Sequence, residues 1–328
     1  SDPEKNVTGE PEPGHALILG QTGTGKTTLQ ASLNSFVERF NPMLFGIDFK
    51  QSMRLPMMML GAEYFVLKEG EFTGINPFQL DEIRLATDDN GVVDTALASS
   101  IKERLRQFLY SWVERIGANA EGGLDDGDSS KIVRAVDAVM ELPRERRRFS
   151  NILESIATSP LRNRLTEFSA FANAGRKGRY AWAVDSPENL FDPLSMDKVA
   201  FDSTVILKKQ PNGKPHPAAE ILLGVLFFYK DLMKLNPRKK GRWTIFSCEE
   251  FWMPANFPLT QEQLKASLKA GRMDYEMLWL ISQQPVDAIN CAIFHDINEQ
   301  VTIRILLPNP AAKWEHYEKI NLTRKDER

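Results

Sequence analysis

Apolar positions change their period along this chain. From His15 to Gly20 (HALILG) they run almost unbroken, a Gly/Thr stretch follows, and Leu29, Leu33, Phe36, Val37 and Phe40 then recur at helical spacing. The pattern predicts strand, loop and a helix from Lys26 to Phe40. MLFGIDF (Met43 to Phe49) predicts a second buried strand, Gln51 to Leu60 a short helix, and EYFVLK (Glu63 to Lys68) a third strand ahead of the turn-rich GEFTGINP. Strand-like runs then vanish from about Asp81 to Gly175. Ile101, Leu105, Phe108, Leu109 and Trp112, then Ile132, Val133, Val136 and Val139, then Ile152 and Ile156, keep a helical period there. Alternation resumes with STVILK (Ser203 to Lys208) as a strand and Ala218 to Leu235 as an apolar, buried helix. WTIFSC (Trp243 to Cys248) predicts a strand, Gln261 to Ala270 a helix, MLWLIS (Met277 to Ser282) and TIRILLP (Thr302 to Pro308) two more strands, and a last helix starts near Ala311.

Strands alternating with helices imply an α/β fold with a mainly parallel central sheet flanked by helices, and the helical stretch implies an all-α insertion subdomain. The expected organisation is a polar, Pro-rich leader or excision remnant at 1–13 and the α/β domain at 14–80 and 176–328. The insertion occupies 81–175 between its two parts. No internal repeat is visible.

Composition narrows the classes. With 41 Lys+Arg against 44 Asp+Glu the formal charge is −3, which argues against a dedicated polybasic nucleic-acid binder. Hydrophobic residues at 42% and charged residues at 26% exclude disorder, collagen and coiled coil for the whole chain. The longest apolar run, Ile221 to Tyr229, falls well short of the roughly 20 residues of a membrane helix. Cys248 and Cys291 form no disulfide framework, and His15, His216, His295 and His316 show no zinc-ligand spacing. A reducing compartment is expected.

The chemistry concentrates in Gly20-Gln21-Thr22-Gly23-Thr24-Gly25-Lys26-Thr27, a full G-x-x-x-x-G-K-[ST] between a buried strand and a helix start. Glycines let backbone amides wrap a phosphate chain, and the helix dipole favours the anion. In that reading the ligand is ATP with Mg²⁺: Lys26 bridges the β- and γ-phosphates, Thr27 offers its hydroxyl to Mg²⁺ and Thr28 reaches the α-phosphate. A second requirement is an acid at the end of a neighbouring strand, with a carboxylate beside it to polarise water. Glu249 and Glu250 after TIFSC meet it, as Mg²⁺ partner, partly through water, and general base. Gln283, ending the next strand, is placed to sense the γ-phosphate or position water.

Other residues keep two readings. Asp48 either approaches the site or caps the next helix. Arg304, in an apolar strand, either enters the crevice or an intersubunit contact, or pairs with a core carboxylate. The basic clusters Arg144 to Arg148, Gly175 to Arg179 and Pro237 to Arg242 are read as solvated surface, with DNA or a partner as the alternative.

GHALILGQTGTGKTTL, FGIDFKQSM, GAEYFVLKEGEFTGINPFQL, TIFSCEEFW, LKAGRMDYEMLWLISQQP and VTIRILLPNPAAKWEHY together resemble the C-terminal motor domain of the type IV secretion and conjugation ATPases of the VirB-four or TrbE class. The similarity runs from about Gly14 to Thr323, and GINPFQL and LPNPAA are its most specific pieces. The resemblance implies a RecA-like fold of the HerA/FtsK kind, ATP hydrolysis, a hexamer, and work at the cytoplasmic face of a bacterial inner membrane. Its implied partners are secretion-channel components and other secretion ATPases. It carries family roles to Lys26, Thr27, Glu249, Glu250 and Gln283, and to Arg272 as an arginine finger in trans. Arg176 and Arg179 stand in reserve, and helix capping is the other reading of Arg272. The chain departs from the family pattern at Glu249, where Asp is usual, and at Met273, where a second basic residue is usual. The expected function is ATP hydrolysis driving substrate transport or pilus assembly; a HerA-type DNA translocase and a nucleotide-gated scaffold are the alternatives.

Overall fold

The structure, a computed structural model, describes residues 14–171, 177–193, 195–271, 273–310, 312–320 and 322. The expected leader at 1–13, and with it Arg176 and Arg272, lie outside the described residues. Seven strands form one sheet: β1 (Ala16–Leu19), β2 (Met43–Asp48), β3 (Glu63–Val66), β4 (Lys198–Asp202), β5 (Thr244–Glu249), β6 (Glu276–Ser282) and β7 (Ile303–Leu306). Their order is β3-β4-β2-β5-β6-β1-β7. β1 pairs in parallel with β6 and β7, and β5 with β2 and β6. Every residue of β1, β2 and β5 is buried, as continuous apolar runs in a sheet covered on both faces require, whereas β3 and β7 at the edges are half-exposed.

The chain divides into two compact units: Ser1–Tyr64 with Lys198–Ala200 and Gly241–Arg328, and Phe65–Asp197 with Phe201–Lys240. In the first, Ile18, Leu44, Ile245, Trp279 and Ile281 form a cluster against which Leu29, Leu33 and Val37 of the helix Lys26–Val37 pack. Each such aliphatic side chain, when fully buried, contributes about 1.5–3 kcal/mol. His15 lies inside this unit, its Nδ1 accepting from Leu278 N (3.0 Å) and its Nε2 facing Leu268 O (3.2 Å). Gly271 has no side chain because a Cβ there would meet the His15 ring at 2.4 Å.

The second unit contains the helices Thr95–Gly117, Asp128–Met140, Pro160–Thr166 and Ala219–Leu235. Ile101, Leu105, Leu109 and Trp112 are buried at the predicted helical spacing, and the Trp112 indole donates to Ile221 O at 2.9 Å. Phe108 stacks on Phe228 at 4.1 Å. Most of Ala219–Leu235 is buried in this unit, and its charged residues pair off, Glu220 with Arg115 and Asp231 with Lys230 and Lys234. The GINPFQL segment turns here. Buried Asn76 accepts from Phe78 N (3.2 Å) and donates to Arg147 O (2.9 Å) and Ser186 O (3.0 Å), tying three segments together.

Two expectations need correction and a third needs refining. STVILK is not a strand: Thr204–Leu207 is a short helix and the strand is the preceding Lys198–Asp202. The Asp202 carboxylate accepts from Thr204 N at 3.0 Å and from its hydroxyl, closing a turn that overrides the β-propensity of Thr-Val-Ile. Arg304, half-exposed on the edge strand β7, pairs with no core carboxylate among the described residues and instead donates to Asn298 O (3.2 Å) and Oδ1 (3.1 Å). Most described charges of the basic clusters are exposed, as expected, but some also tie the fold together and Lys239 is buried. Arg144 pairs with Asp81, Arg147 donates to Leu142 O (2.9 Å), and buried Lys239 holds Pro193 O (3.0 Å), Met196 O (2.6 Å) and Asp197 (3.1 Å).

Candidate nucleotide site

The first unit carries the site at the carboxyl ends of β1, β2, β5 and β6, where a parallel sheet opens its ligand crevice. β1 delivers the phosphate loop. Leu19 is in register with Ser282, and Gly20 N donates to Ser282 O at 3.2 Å, so the end of β6 is locked beside the loop. A Cβ at Gly20 would meet Leu307 at 2.6 Å, so glycine is needed where Leu307 packs against the start of the loop. Gly23 (φ 84°) and Gly25 (φ 97°) are left-handed, with open space where their Cβ atoms would be. The loop can therefore offer amides to an anion without a side chain in the way.

A cleft of about 430 Å³ brings together Thr22, Gly23, Gly25, Lys26, Thr27 and Thr28. Phe49, Lys50, Ser52, Glu249, Glu250 and Gln283 line the same cleft. Gly20 and Thr24 shape the loop from behind; the Thr24 hydroxyl donates to Gln21 O at 2.7 Å. The Lys26 ammonium donates to Gly20 O (2.5 Å) and Gln21 O (3.0 Å). Burial lowers its pKa, and the Glu249 and Glu250 charges oppose that shift.

The two acids have separate surroundings. Glu249 is only 7% exposed; its Oε2 accepts from Phe49 N (3.0 Å) and its Oε1 from Ser52 Oγ (2.5 Å). Asp48 stands beside it, accepts from Ser52 N and Met53 N, each at 3.0 Å, and from the Tyr64 hydroxyl, and lies 3.0 Å from the same Ser52 Oγ. Asp48 does not cap the next helix, since Arg54–Met59 starts at Met53 without a side-chain cap; it closes the loop ahead of that helix and borders the site through Ser52 and Glu249. Burial and the Asp48 charge raise the pKa of Glu249. Glu250 instead points its Oε1 at Gln283 Nε2 (2.7 Å) and its Oε2 at the Trp252 indole (2.6 Å). Gln283 Oε1 accepts from Thr22 (2.8 Å), and Asn309 Nδ2 donates to Gln283 O at 3.1 Å. The result is a continuous chain from the phosphate loop through Gln283 to Glu250.

Sequence reasoning missed Ser52, Trp252 and Asn309. Nothing in their spacing marks them; the Trp in CEEFW and the Asn in LPNP were legible only as parts of the quoted motifs. Arg179 is exposed in the second unit, its guanidinium 5.5 Å from the Tyr180 ring.

The raised Glu249 pKa has a thermodynamic sign. An acid whose folded pKa is raised contributes stability below its ordinary carboxylate value and loses it as pH climbs through the folded value. Glu249→Gln removes that loss and gives Asp48 an amide donor. The nucleotide-free variant is expected to melt higher than wild type at pH 8, by roughly 2–4 °C per kcal/mol relieved, with a flatter pH dependence. Differential scanning calorimetry from pH 5 to 9 checks this; an equal or lower melting temperature at pH 8 contradicts it.

The sheet, the glycine-rich loop leading into its helix and the paired acids at the end of the next strand but one define a RecA-like α/β fold of the phosphate-loop kind. No family model matches the chain. It is 24% identical over 320 residues to the type IV secretion system protein VirB4 of Bartonella henselae, covering 95% of this chain and 36% of that protein. Against VirB4 of Brucella suis the identity is 24% over 318 residues, with 93% and 35% covered. Against PtlC of Bordetella pertussis it is 24% over 330 residues, with 96% and 36% covered. The solved VirB4 of Thermoanaerobacter pseudethanolicus matches with a TM-score of 0.64 at 16% identity, over 95% of this chain and 82% of that one, which shows the fold. The chain is similar to VirB4-class secretion proteins along nearly all of its length and spans about a third of the curated relatives it matches. Among the described residues no helix is long and apolar enough to cross a membrane.

Proposed function

We propose that this chain is the ATP-hydrolysing motor domain of a type IV secretion or conjugation system, driving substrate transport or pilus assembly. The observation that carries the reading is the convergence of the phosphate loop, Glu249, Glu250 and Gln283 on one cleft in a chain similar to VirB4. The residues fit ATP with Mg²⁺. The left-handed glycines leave an open cradle for phosphates, and the Thr27 hydroxyl and Glu249 carboxylate line the cleft beside it. That donor set suits Mg²⁺, which is bound by few protein groups together with water and substrate phosphates. Bound there, the ion would neutralise phosphate charge.

Lys26 would exchange its loop carbonyls for β- and γ-phosphate oxygens, and Thr27 and Glu249 are the residues that would hold Mg²⁺, Glu249 partly through water. Thr28 reaches the α-phosphate. Glu250 takes the proton of the attacking water, and Gln283, already hydrogen-bonded to both Glu250 and Thr22, relays occupancy of the loop to the base. In the cell the protein works at the cytoplasmic face of the inner membrane, with channel components and other secretion ATPases as partners. Its active form is a ring of six in which Arg272 completes the neighbouring site.

Mg²⁺-dependent, multiple-turnover phosphate release by the chain tests the reading; release confined to a single turnover would favour the nucleotide-gated scaffold. DNA-stimulated turnover with steeply salt-dependent DNA binding would favour the translocase, against which the formal charge of −3 argues. The ring is tested by mixing Arg272→Ala with Lys26→Ala subunits. Activity regained in the mixture and absent from either alone is expected; a verified mixed oligomer without it removes Arg272 from the trans role and leaves helix capping.

A further inference from the structure

The loop after β2 enters the cleft in a costly conformation. Lys50 (φ 62°) and Gln51 (φ 57°) are consecutive non-glycine residues in the left-handed region, where each costs roughly 1–2 kcal/mol. Glycine would make the same turn without that cost. The loop persists because its flanks are over-determined: the Asp48 carboxylate takes Ser52 N and Met53 N, Glu249 takes Phe49 N, and the Ser52 hydroxyl sits between the two acids with one proton to share. Glu250, just past the carboxyl end of the neighbouring parallel strand β5, is left-handed as well (φ 49°). Strain of this kind gathers where backbone must aim a side chain.

What the loop aims is a cation. Lys50 is exposed and lines the cleft, with its ammonium 5.0 Å from the ring of Phe49, which lines the same cleft. The charged residues of the cleft are Lys26 and Lys50 against Glu249 and Glu250. Lys26 belongs to the phosphate loop, whereas Lys50 comes from the loop after β2, whose Phe49 N donates to Glu249, and both line the cleft. A nucleoside triphosphate differs from a diphosphate by the charge it carries farthest from the nucleoside, and a second cation is what such a difference selects.

Building on the function proposed above, we propose that Lys50 is a phosphate-binding residue in cis that engages the terminal phosphate of a bound nucleoside triphosphate and lets this cleft tell triphosphate from diphosphate. The asymmetry is independent of any arginine from a neighbouring subunit, so it is present in an isolated chain. Arginine at position 50 keeps the charge; alanine removes it at no added backbone cost, because both carry a Cβ. Lys50→Gly removes charge and strain together.

The test is calorimetric titration of the 328-residue chain with Mg²⁺–ADP and with the β,γ-imido analogue of ATP. Lys50→Ala is expected to weaken the triphosphate analogue by roughly tenfold or more, the loss of one charge-assisted contact, while ADP affinity stays at the wild-type value. Lys50→Arg restores most of the difference. Lys50→Gly shows the same selective loss with a raised melting temperature, which separates the effect from damage to the fold. Wild-type affinities for both ligands in Lys50→Ala, or an equal loss of both, overturn the proposal. If the wild-type chain binds neither nucleotide, the nucleotide-site reading fails and this inference with it. If wild type binds both and Lys26→Ala binds neither, a Lys50→Ala variant that still discriminates sinks the Lys50 assignment alone.

Discussion

Lys26→Ala abolishes ATP hydrolysis and weakens nucleotide binding by roughly a hundredfold while the melting temperature holds. The binding figure follows from removing one strong charge-assisted contact to phosphate, worth about 1.5–3 kcal/mol. Hydrolysis suffers more because charge builds on the transferring phosphoryl group and no other side chain of the loop is cationic. Stability is spared for a structural reason. The ammonium's partners are the carbonyls of Gly20 and Gln21, at the surface end of β1, where water replaces it readily. Burial already disfavours its charged form, so the fold gains little from it. Phosphate release, nucleotide titration and a thermal melt on one preparation check the three parts; wild-type turnover in a folded variant contradicts the assignment.

Glu250→Gln lowers turnover by roughly 10²-fold or more while ATP and Mg²⁺ still bind. The amide keeps the volume but accepts no proton from water. Its neighbours tolerate the change: the Gln283 amide can turn over to face the new NH₂ with its oxygen, and the Thr22 hydroxyl, bonded to Gln283 at 2.8 Å, can accept instead of donate. The Trp252 indole still finds an oxygen. The contrast with Glu249→Gln is the sharper observation. That change weakens the Mg²⁺ dependence and stabilises the nucleotide-free fold, because Glu249 lies buried against Asp48 while Glu250 does not. Identical kinetics for the two variants would mean that the division of labour is wrong.

The phosphate loop was legible before any fold was known, because its chemistry is local: three glycines, a lysine and a hydroxyl within eight residues define the cradle whatever surrounds them. The same holds for the buried strands β1, β2, β5 and β6, whose apolar runs exceed any turn signal within them. β4 was missed because KVAFD is short and its successor TVIL carries the stronger β-propensity; Asp202, by capping Thr204, reverses the order.

Only the tertiary structure decided which face each acid turns to the cleft. Glu249 and Glu250 are adjacent, and nothing in the pair EE says that one is sealed against Asp48, Phe49 N and Ser52, some 200 positions away, while the other bonds to Gln283 and Trp252. Strand order creates that difference. β5 lies between β2 and β6, so the last strand residue meets the β2 loop and the next, in left-handed backbone, swings to the β6 side. Lys50 belongs to the same category: a lysine after a strand reads as solvated, and only the hydrogen bonds on both sides of its loop turn it into the cleft. Local chemistry can be read from spacing, but a residue's partners across a parallel sheet are set by which crossovers bring strands together, and that depends on the packing of the whole chain.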